Sequence, residues 1–175
     1  MSSGNRIPLA EALPIAERTQ AALATHCEPG KCVIAGSVRR EAPTIGDLEI
    51  VCVPLDYEAT PLFASGLALV VNEWPTVRGQ LPCKYTKRIL PGGLCLDLFM
   101  VDPRGFGLQL AIRTGSAEWS HKILATSWVR AGFASKDGLL RRRDGSVINT
   151  PDERRLFELI GIDWERYGDP VNREV

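Results

Sequence analysis

The sequence predicts an α+β fold, because strand-like and helix-like patterns occupy different parts of the chain. Short apolar runs bounded by glycine and proline dominate residues 32–101, and helical spacing of apolar residues dominates residues 106–160. Strands first and helices later are typical of α+β proteins. We therefore expect two subdomains: residues 1–104 with a mixed sheet and flanking helices, and a small, mostly helical subdomain over residues 105–175.

The first subdomain is predicted to begin with a helix and to continue with strands. Apolar residues at helical spacing indicate the helix over residues 8–26. Thr60 and Pro61 indicate the start of a second, short helix. Apolar runs that end near glycine or proline predict strands over residues 32–36, 47–53 and 67–71.

A strong turn signal, Pro91-Gly92-Gly93, separates two further strand-like segments. Residues 84–90 lie before it and residues 94–101 after it. Because glycine and proline pairs favour tight turns between strands, we expect these segments to form a hairpin.

The second subdomain is predicted to be helical around a small strand pair. Helical spacing indicates helices over residues 106–112 and 117–130. The pairs Asp137-Gly138 and Asp144-Gly145 indicate the turns of a two-stranded element. Thr150 as N-cap and Pro151 at the first position predict the start of a last helix, which ends at Gly161.

The bulk composition limits the function classes. Lysine plus arginine number 21 and aspartate plus glutamate 21, so nucleic-acid contact must come from local basic patches. The five cysteines form no Cys-x-x-Cys pair, which predicts small buried residues in a reducing compartment rather than a zinc site. No apolar run approaches the ~20 residues that span a bilayer, and the N-terminus lacks a signal core, so we expect a cytoplasmic protein without a membrane partner.

Three acidic residues form the candidate catalytic site. In an extended strand Asp47 and Glu49 project to the same side, while Leu48 and Ile50 face a core. Asp97 stands alone in an apolar run, and burying a lone carboxylate is costly unless a positive group meets it. A divalent metal ion is the natural partner for these carboxylates.

The turn before the acid pair carries groups suited to phosphate. Nucleotidyl transfer needs two metal ions ~4 Å apart and hydrogen-bond donors around a triphosphate. Ser37, the amide groups after Gly36, and Arg40 are such donors. Each motif alone is more often an ordinary loop or a solvated strand edge, but their combination favours a two-metal site.

These motifs resemble those of the family X DNA polymerases, in the nucleotidyltransferase superfamily that polymerase β typifies. The segment Gly36-Ser37-Val38-Arg39-Arg40 is similar to the family's Gly-Ser-x-Arg-Arg turn, and Gly46-Asp47-Leu48-Glu49 resembles its Gly-Asp-x-Asp motif. Asp97 falls where the third, catalytic aspartate is expected. The resemblance spans nearly the whole chain and implies a nucleotidyltransferase palm over residues 1–104, followed by a thumb-like subdomain.

The resemblance also implies a role for each motif. Asp47 and Glu49 would bind two Mg²⁺ ions and Asp97 the catalytic one, while Ser37 and Arg40 would hold the β- and γ-phosphates. Thr114-Gly115-Ser116 resembles an element that abuts the nucleotide's sugar, where the family often carries a cis Gly-Ser peptide bond. The four tryptophans are expected mostly in the core or at the subdomain seam, with Trp119 the best candidate for stacking on a nucleotide. The implied nucleotide-binding residues are Gly36, Ser37, Arg40, Gly46, Thr114, Gly115, Ser116, Trp119 and Ser120.

Departures from the family pattern refine these expectations. Glu49 stands where polymerases usually place aspartate, and with its extra methylene we expect a Mg²⁺ site that also accepts or favours Mn²⁺. Ile112 and Arg113 replace the aromatic pair that gates the sugar, which predicts poor discrimination between deoxyribo- and ribonucleotides. We expect no lyase or helix-hairpin-helix region, so DNA must be gripped by local basic residues: Lys84, Lys87, Arg88, Arg141 and Arg142.

We therefore expect a monomeric, template-directed DNA polymerase that adds nucleotides from nucleoside triphosphates to the primer of a DNA primer-template, in repair or replication. One alternative is another transferase on the same scaffold, which adds nucleotides without a template or modifies RNA, a small molecule or a protein. The other is a catalytically silent nucleic-acid-binding module, in which Glu49 marks the decay of the metal site.

Overall fold

The computed structural model describes residues 6–55, 57 and 66–174. It divides the chain into two compact units, Met1–Val101 and Asp102–Val175. Helices flank a mixed sheet in the first unit, which confirms the predicted α+β class. The predicted helix opened by Thr60 and Pro61 lies outside the described residues.

The first unit contains a central sheet, a short strand pair and helices. In chain order its elements are β1 (Ile7–Pro8), α1 (Leu9–Ala24), β2 (Cys27–Ala35), α2 (Gly36–Arg39), β3 (Thr44–Ile45), β4 (Asp47–Pro54), α3 (Gly66–Val71), β5 (Thr76–Arg78), β6 (Tyr85–Ile89) and β7 (Cys95–Met100).

The described part of the central sheet has five strands in the order β2-β4-β7-β6-β5. Strands β4 and β7 are parallel, and the other neighbouring pairs are antiparallel. The predicted strand over residues 47–53 and the predicted hairpin around Gly92 are both confirmed. The sheet therefore places β4 beside β7 at its centre.

The core of the first unit covers one face of β4 and β7. Leu48, Ile50 and Leu96 are fully buried there together with Ala12 and other buried residues of α1. Each such aliphatic side chain stabilises the fold by about 1.5–3 kcal/mol. Because side chains alternate along a strand, the residues between these apolar ones project from the opposite face.

The prediction of a strand over residues 67–71 is wrong, because these residues form α3. Leu67, Ala68 and Val71 are buried while Leu69 is 74% exposed. That burial follows helical spacing, whereas a strand would place residues 67, 69 and 71 on one face. A short apolar run without turn signals fits either structure, and tertiary packing decides between them.

The second unit is mostly helical, as predicted. In chain order it contains a 3₁₀ turn (Pro103–Gly105), α4 (Phe106–Thr114), α5 (Ala117–Trp119), a π-helical segment (Ser120–Ala125), α6 (Thr126–Arg130), β8 (Ala134–Lys136), β9 (Leu139–Arg141), β10 (Val147–Ile148), α7 (Glu153–Ile160), α8 (Trp164–Tyr167) and a second 3₁₀ turn (Pro170–Arg173).

The predicted two-stranded element in this unit is instead a three-stranded antiparallel sheet in the order β10-β9-β8. The additional strand, β8, is exposed along its whole length. An exposed strand has no alternation of apolar and polar residues, so periodicity does not reveal it.

The last long helix begins two residues later than predicted. Asp152 is its N-cap, with a side chain that accepts a hydrogen bond from the N–H of Arg155. Thr150 is buried, and its hydroxyl donates to the carbonyl of Arg104 at 3.2 Å. The helix ends at Gly161 in the left-handed conformation, with φ of 70°, as predicted.

Three of the cysteines are buried as predicted, namely Cys27, Cys32 and Cys52, whereas Cys83 and Cys95 are partly exposed. None of the helices in the described part of the chain is both long enough and apolar enough to cross a membrane.

Candidate functional site

Strands β4 and β7 bring the three predicted acidic residues onto one face of the sheet. In the parallel pairing Asp47 lies opposite Cys95, and Glu49 lies opposite Asp97. Because residues two apart share a face, Asp47, Glu49 and Asp97 all project away from the core that Leu48 faces. The predicted grouping of these acids on one face follows from this register.

Asp97 is 8% exposed, and both of its carboxylate oxygens receive hydrogen bonds. The Tyr85 hydroxyl donates to Oδ1 at 2.5 Å, and Lys87 Nζ donates to Oδ2 at 3.0 Å. Lys87 Nζ also lies 3.7 Å from Oδ2 of Asp47. The sequence predicted a positive partner for this buried carboxylate, and within the chain that partner is Lys87.

Burial and mutual charge shift the pKa values of the residues in this cluster. Burial, and then the charge of Asp97, raise the pKa of Asp47, while Lys87 and Arg6 act in the opposite direction. Burial by itself lowers the pKa of Lys87, but the hydrogen bond to Asp97 and the charges of both aspartates raise it above its usual value. Burial and the hydrogen bond to Asp97 raise the pKa of Tyr85 to about 12. Asp47, Asp97, Lys87 and Tyr85 therefore form one electrostatically coupled cluster.

Glu49 lies beside the turn that follows β2. Its register partner on β2 is Ala35, and the turn begins at Gly36 with φ of 61°. A Cβ atom placed on Gly36 would stand 1.9 Å from Oε2 of Glu49. Only glycine fits there, because the backbone is left-handed and the glutamate carboxylate occupies the space of a side chain.

The turn itself is the one-turn helix α2. The N–H groups of Arg40 and Ala42 donate to the carbonyls of Gly36 and Ser37, which closes the turn, and the Ser37 side chain is half-buried. Gly46, at the start of β4, lies next to Arg6, since a Cβ there would be 3.1 Å from the Arg6 guanidinium.

The donor atoms at the ends of β4 and β7 suit a hard divalent cation. Carboxylate oxygens are the ligands that Mg²⁺ and Mn²⁺ prefer, and Asp47 lies close enough to Asp97 for a hydrogen bond between them to contribute to its raised pKa. Within residues 6–55, 57 and 66–174, no three histidine, cysteine or acidic side chains are grouped closely enough to enclose a metal. The fit therefore rests on the Asp47–Asp97 pair, with Glu49 turned toward Gly36.

Two residues predicted to contact DNA have other partners. Arg88 is 3% exposed, and its guanidinium donates to Thr86 Oγ1, Thr76 Oγ1 and the carbonyl of Trp74 at 2.9, 2.6 and 3.2 Å. Its charge is buried in the sheet, which argues against the predicted contact with DNA. Lys87 points into the carboxylate cluster, and Lys84 is exposed on the same hairpin.

The predicted arginines of the second unit lie around the turn between β9 and β10. Arg141 donates to the carbonyl of Gly145 at 2.9 Å and lies 3.9 Å from Asp137. Arg142 is exposed, and its guanidinium contacts the Ser146 hydroxyl at 3.4 Å. Arg142 therefore keeps a surface available for phosphate, whereas Arg141 is mostly engaged within its own turn.

The Thr114-Gly115-Ser116 segment joins two helices of the second unit. Thr114 is fully buried at the end of α4, and the Ser116 hydroxyl accepts the N–H of Trp119 as the N-cap of α5. A Cβ on Gly115 would be 2.2 Å from the Trp119 ring. Ser120 donates to the carbonyl of Ile112 at 3.2 Å. In the described residues the one cis peptide bond is at Leu81–Pro82, so the bond after Gly115 is trans.

The position of Trp119 argues against the predicted stacking on a nucleotide. Its side chain is fully buried, and its ring packs against Phe157 and Tyr167 at centroid distances of 6.1 and 5.7 Å. Trp119 is thus a core residue of the second unit, and the same packing explains why residue 115 must be glycine.

Sequence reasoning missed the roles of Tyr85, Lys87 and Arg6. A signal for the first two was present: in a hairpin centred on Gly92, residues equally far from the centre pair, as Lys87 does with Asp97. Tyr85 lies two residues before Lys87 and therefore shares its face. No comparable signal predicts the approach of Arg6 to Gly46, which depends on β1 pairing with β3.

No protein-family model matches the chain, and no curated protein matches it either. The residues of the chain and their geometry are therefore the basis for inferring its function.

Proposed function

We propose that the chain is a metal-dependent nucleotidyltransferase of the family X DNA polymerase kind, which adds nucleotides to a primer 3'-hydroxyl and releases pyrophosphate. One observation carries the proposal: Asp47 and Asp97 converge on one face of the parallel strands β4 and β7, with Glu49 in register beside them. The Gly36–Arg39 turn, which resembles the phosphate-binding turn of that family, lies against Glu49. A DNA primer-template and nucleoside triphosphates are the proposed partners of a monomeric, cytoplasmic enzyme.

Asp47 and Asp97 are the residues that would hold divalent metal, and Glu49 would join them by turning away from Gly36. Bound Mg²⁺ or Mn²⁺ supplies the charge that neutralises a triphosphate and favours ionisation of the attacking hydroxyl. Ser37, the amide groups after Gly36, and Arg40 would hold the β- and γ-phosphates, because hydroxyl, amide and guanidinium donors match phosphate oxygens.

The reaction forms one P–O bond and breaks another. The primer 3'-oxygen attacks the α-phosphorus, and pyrophosphate leaves with the electrons of the broken bond. Asp97 accepts or orients the proton of the attacking hydroxyl. The Tyr85 hydroxyl donates to Asp97 Oδ1 at 2.5 Å and so holds the Asp97 carboxylate in position. The buried setting of Asp97 keeps water away from this carboxylate.

A primer-extension assay tests the proposal. Labelled gapped, recessed-end and single-stranded primers are incubated with Mg²⁺ or Mn²⁺ and with each deoxy- and ribonucleotide singly. Asp97→Asn is the test variant, and Asp144→Asn, at a fully exposed aspartate of the second unit, is the matched control. Template-matched extension by the wild type and by Asp144→Asn, lost in Asp97→Asn, is the expected result.

Other outcomes separate the alternatives. Extension that ignores the template assigns the chain to terminal transferases on the same scaffold. Extension that survives in Asp97→Asn contradicts the assignment of the catalytic acid. A complete lack of extension turns attention to other acceptors or to a silent binding module.

The silent module is a second candidate because of one observation. Lys87 already neutralises part of the charge of Asp97, at 3.0 Å, which is how a site without metal is stabilised. The two candidates differ in what a divalent ion does to this ion pair.

A further inference from the structure

We propose that Lys87 is a built-in counter-ion that competes with divalent metal for Asp97 and Asp47, so that metal enters the site by displacing its ammonium group. This inference rests on the proposed function for its metal, but its test uses neither nucleotide nor primer.

The position of Lys87 is set by the sheet and not by a flexible loop. Lys87 on β6 is the register partner of Asp97 on β7. Its Nζ atom lies 3.0 Å from one oxygen of Asp97 and 3.7 Å from Asp47. An ammonium group there occupies the space between the two carboxylates where a cation bridging them would sit.

The charge balance favours exchange of the ammonium for a divalent ion. Two carboxylates face one lysine, whose Nζ lies 3.0 Å from Asp97 and 3.7 Å from Asp47. A divalent ion carries twice the charge of an ammonium and can contact both carboxylates directly. Metal binding must therefore break the charge-assisted hydrogen bond between Lys87 and Asp97. In return, the divalent ion reduces the repulsion between the carboxylates of Asp47 and Asp97.

Lys87 is also able to leave. Its side chain is 28% exposed, and lysine has a flexible stem that can carry the ammonium into water. Tyr85 differs in this respect, because its hydroxyl binds the other oxygen of Asp97 and carries no charge. Tyr85 can hold the carboxylate in place while metal replaces Lys87.

The test measures Mn²⁺ binding to the full chain through the electron paramagnetic resonance signal of the Mn²⁺ that stays free in solution. Lys87→Met keeps the length of the side chain and removes its charge, so we expect Mn²⁺ to bind about tenfold more tightly, the effect of losing one charge-assisted hydrogen bond. Lys84→Met, at an exposed lysine of the same hairpin segment, should bind Mn²⁺ like the wild type. Lys87→Arg should bind Mn²⁺ no more tightly than the wild type.

A second measurement follows thermal unfolding of the same variants with and without Mn²⁺. Without metal, Lys87→Met should melt at a lower temperature than the wild type, because its carboxylates lose their counter-ion. Mn²⁺ should raise its melting temperature by more than it raises that of the wild type. Lys87→Gln replaces Lys87→Met if the latter does not fold, and Lys87→Arg tests the same competition with the charge kept.

Equal or weaker Mn²⁺ binding by Lys87→Met or Lys87→Gln would overturn the inference, since Lys87 would then support the metal site or be irrelevant to it. Tighter Mn²⁺ binding in the variants, combined with a wild type that extends no primer, sustains the inference and overturns the proposed function. An active wild type whose Lys87 variants bind Mn²⁺ unchanged overturns the inference alone.

Discussion

Each unit contains a buried or half-buried ionic cluster, and the two clusters differ in charge balance. In the second unit Arg173 is fully buried and paired with Glu153, which is 5% exposed. In the first unit Lys87 faces both Asp97 and the half-exposed Asp47. The first cluster pairs one acid with one base, whereas in the second a single lysine contacts two acids.

The Arg173 cluster is satisfied by its surroundings. The guanidinium donates to both oxygens of Glu153 and to the carbonyls of Tyr167 and Gly168, the last two at 2.7 and 3.2 Å. It also packs over the rings of Phe157 and Trp119, at 5.0 and 5.6 Å. A charge that is matched and saturated with hydrogen bonds in this way stabilises a fold and has no capacity left for a ligand.

A structural ion pair and a candidate site thus differ in how completely each charge is paired. In the Asp47–Asp97 cluster, burial and then the charge of Asp97 raise the pKa of Asp47, and acids perturbed in this way are typical of functional sites.

Arg173→Met should lower the free energy of unfolding by about 3–5 kcal/mol, because it leaves the Glu153 carboxylate buried without its partner. Denaturant titration followed by tryptophan fluorescence measures this, with Arg142→Met as an exposed control. A loss below about 1 kcal/mol would show that the pair is unimportant to the second unit.

Arg88→Met should lower the free energy of unfolding by about 2–3 kcal/mol, because Thr76, Thr86 and the Trp74 carbonyl lose a buried donor. Lys84→Met, on the same hairpin segment, should change it by less than about 0.5 kcal/mol. A stable Arg88→Met protein with weakened DNA affinity would restore the DNA-contact role that the structure argues against.

Gly36→Ala should cost about 1–2 kcal/mol from left-handed backbone strain and should also displace the Glu49 carboxylate. Gly30→Ala is the matched control, since Gly30 has φ of 74° and no atom within 4 Å of its Cβ position. Both variants should show similar backbone strain in urea unfolding, but only Gly36→Ala should weaken Mn²⁺ binding. Equal Mn²⁺ binding by the two variants would show that Glu49 does not contribute to metal binding.

The smallest expected effect is the pH dependence that Asp47 contributes without metal. Because its pKa is raised in the folded chain, its contribution to stability is full below the ordinary aspartate pKa, about 3.9, and is lost as pH rises through the folded value.

Melting curves between acid and neutral pH should therefore show a slight loss of stability as the pH rises, and Asp47→Asn should abolish this loss. Asp144 should give the opposite sign, since hydrogen bonds to Ser146 lower its pKa. If the loss of thermal stability persists in Asp47→Asn, a group other than Asp47 causes it.

Much of this arrangement could be predicted from local periodicity. Period-two alternation places Asp47 and Glu49 on one face, and Pro91-Gly92-Gly93 fixes the hairpin. The same alternation, applied to Arg88, would have placed its side chain on the opposite face from Lys87. The prediction that Arg88 contacts DNA does not take this alternation into account.

The remaining errors come from tertiary packing that a sequence does not encode locally. Leu67–Val71 is apolar enough for a strand or a helix, and its helical form depends on what it packs against. Trp119 was expected to face a ligand, but its neighbours Phe157, Tyr167 and Arg173 lie far along the chain. Only a folded structure shows that they surround the indole ring.

The most direct test of the account is equilibrium binding of a deoxynucleoside triphosphate to the wild type and to Asp47→Asn, with and without Mn²⁺. The account predicts binding that requires Mn²⁺ and is lost in Asp47→Asn, although that variant melts no lower than the wild type in the absence of metal. Metal-independent binding, or equal binding by the variant, would contradict the assignment of the β4–β7 carboxylates as a catalytic metal site.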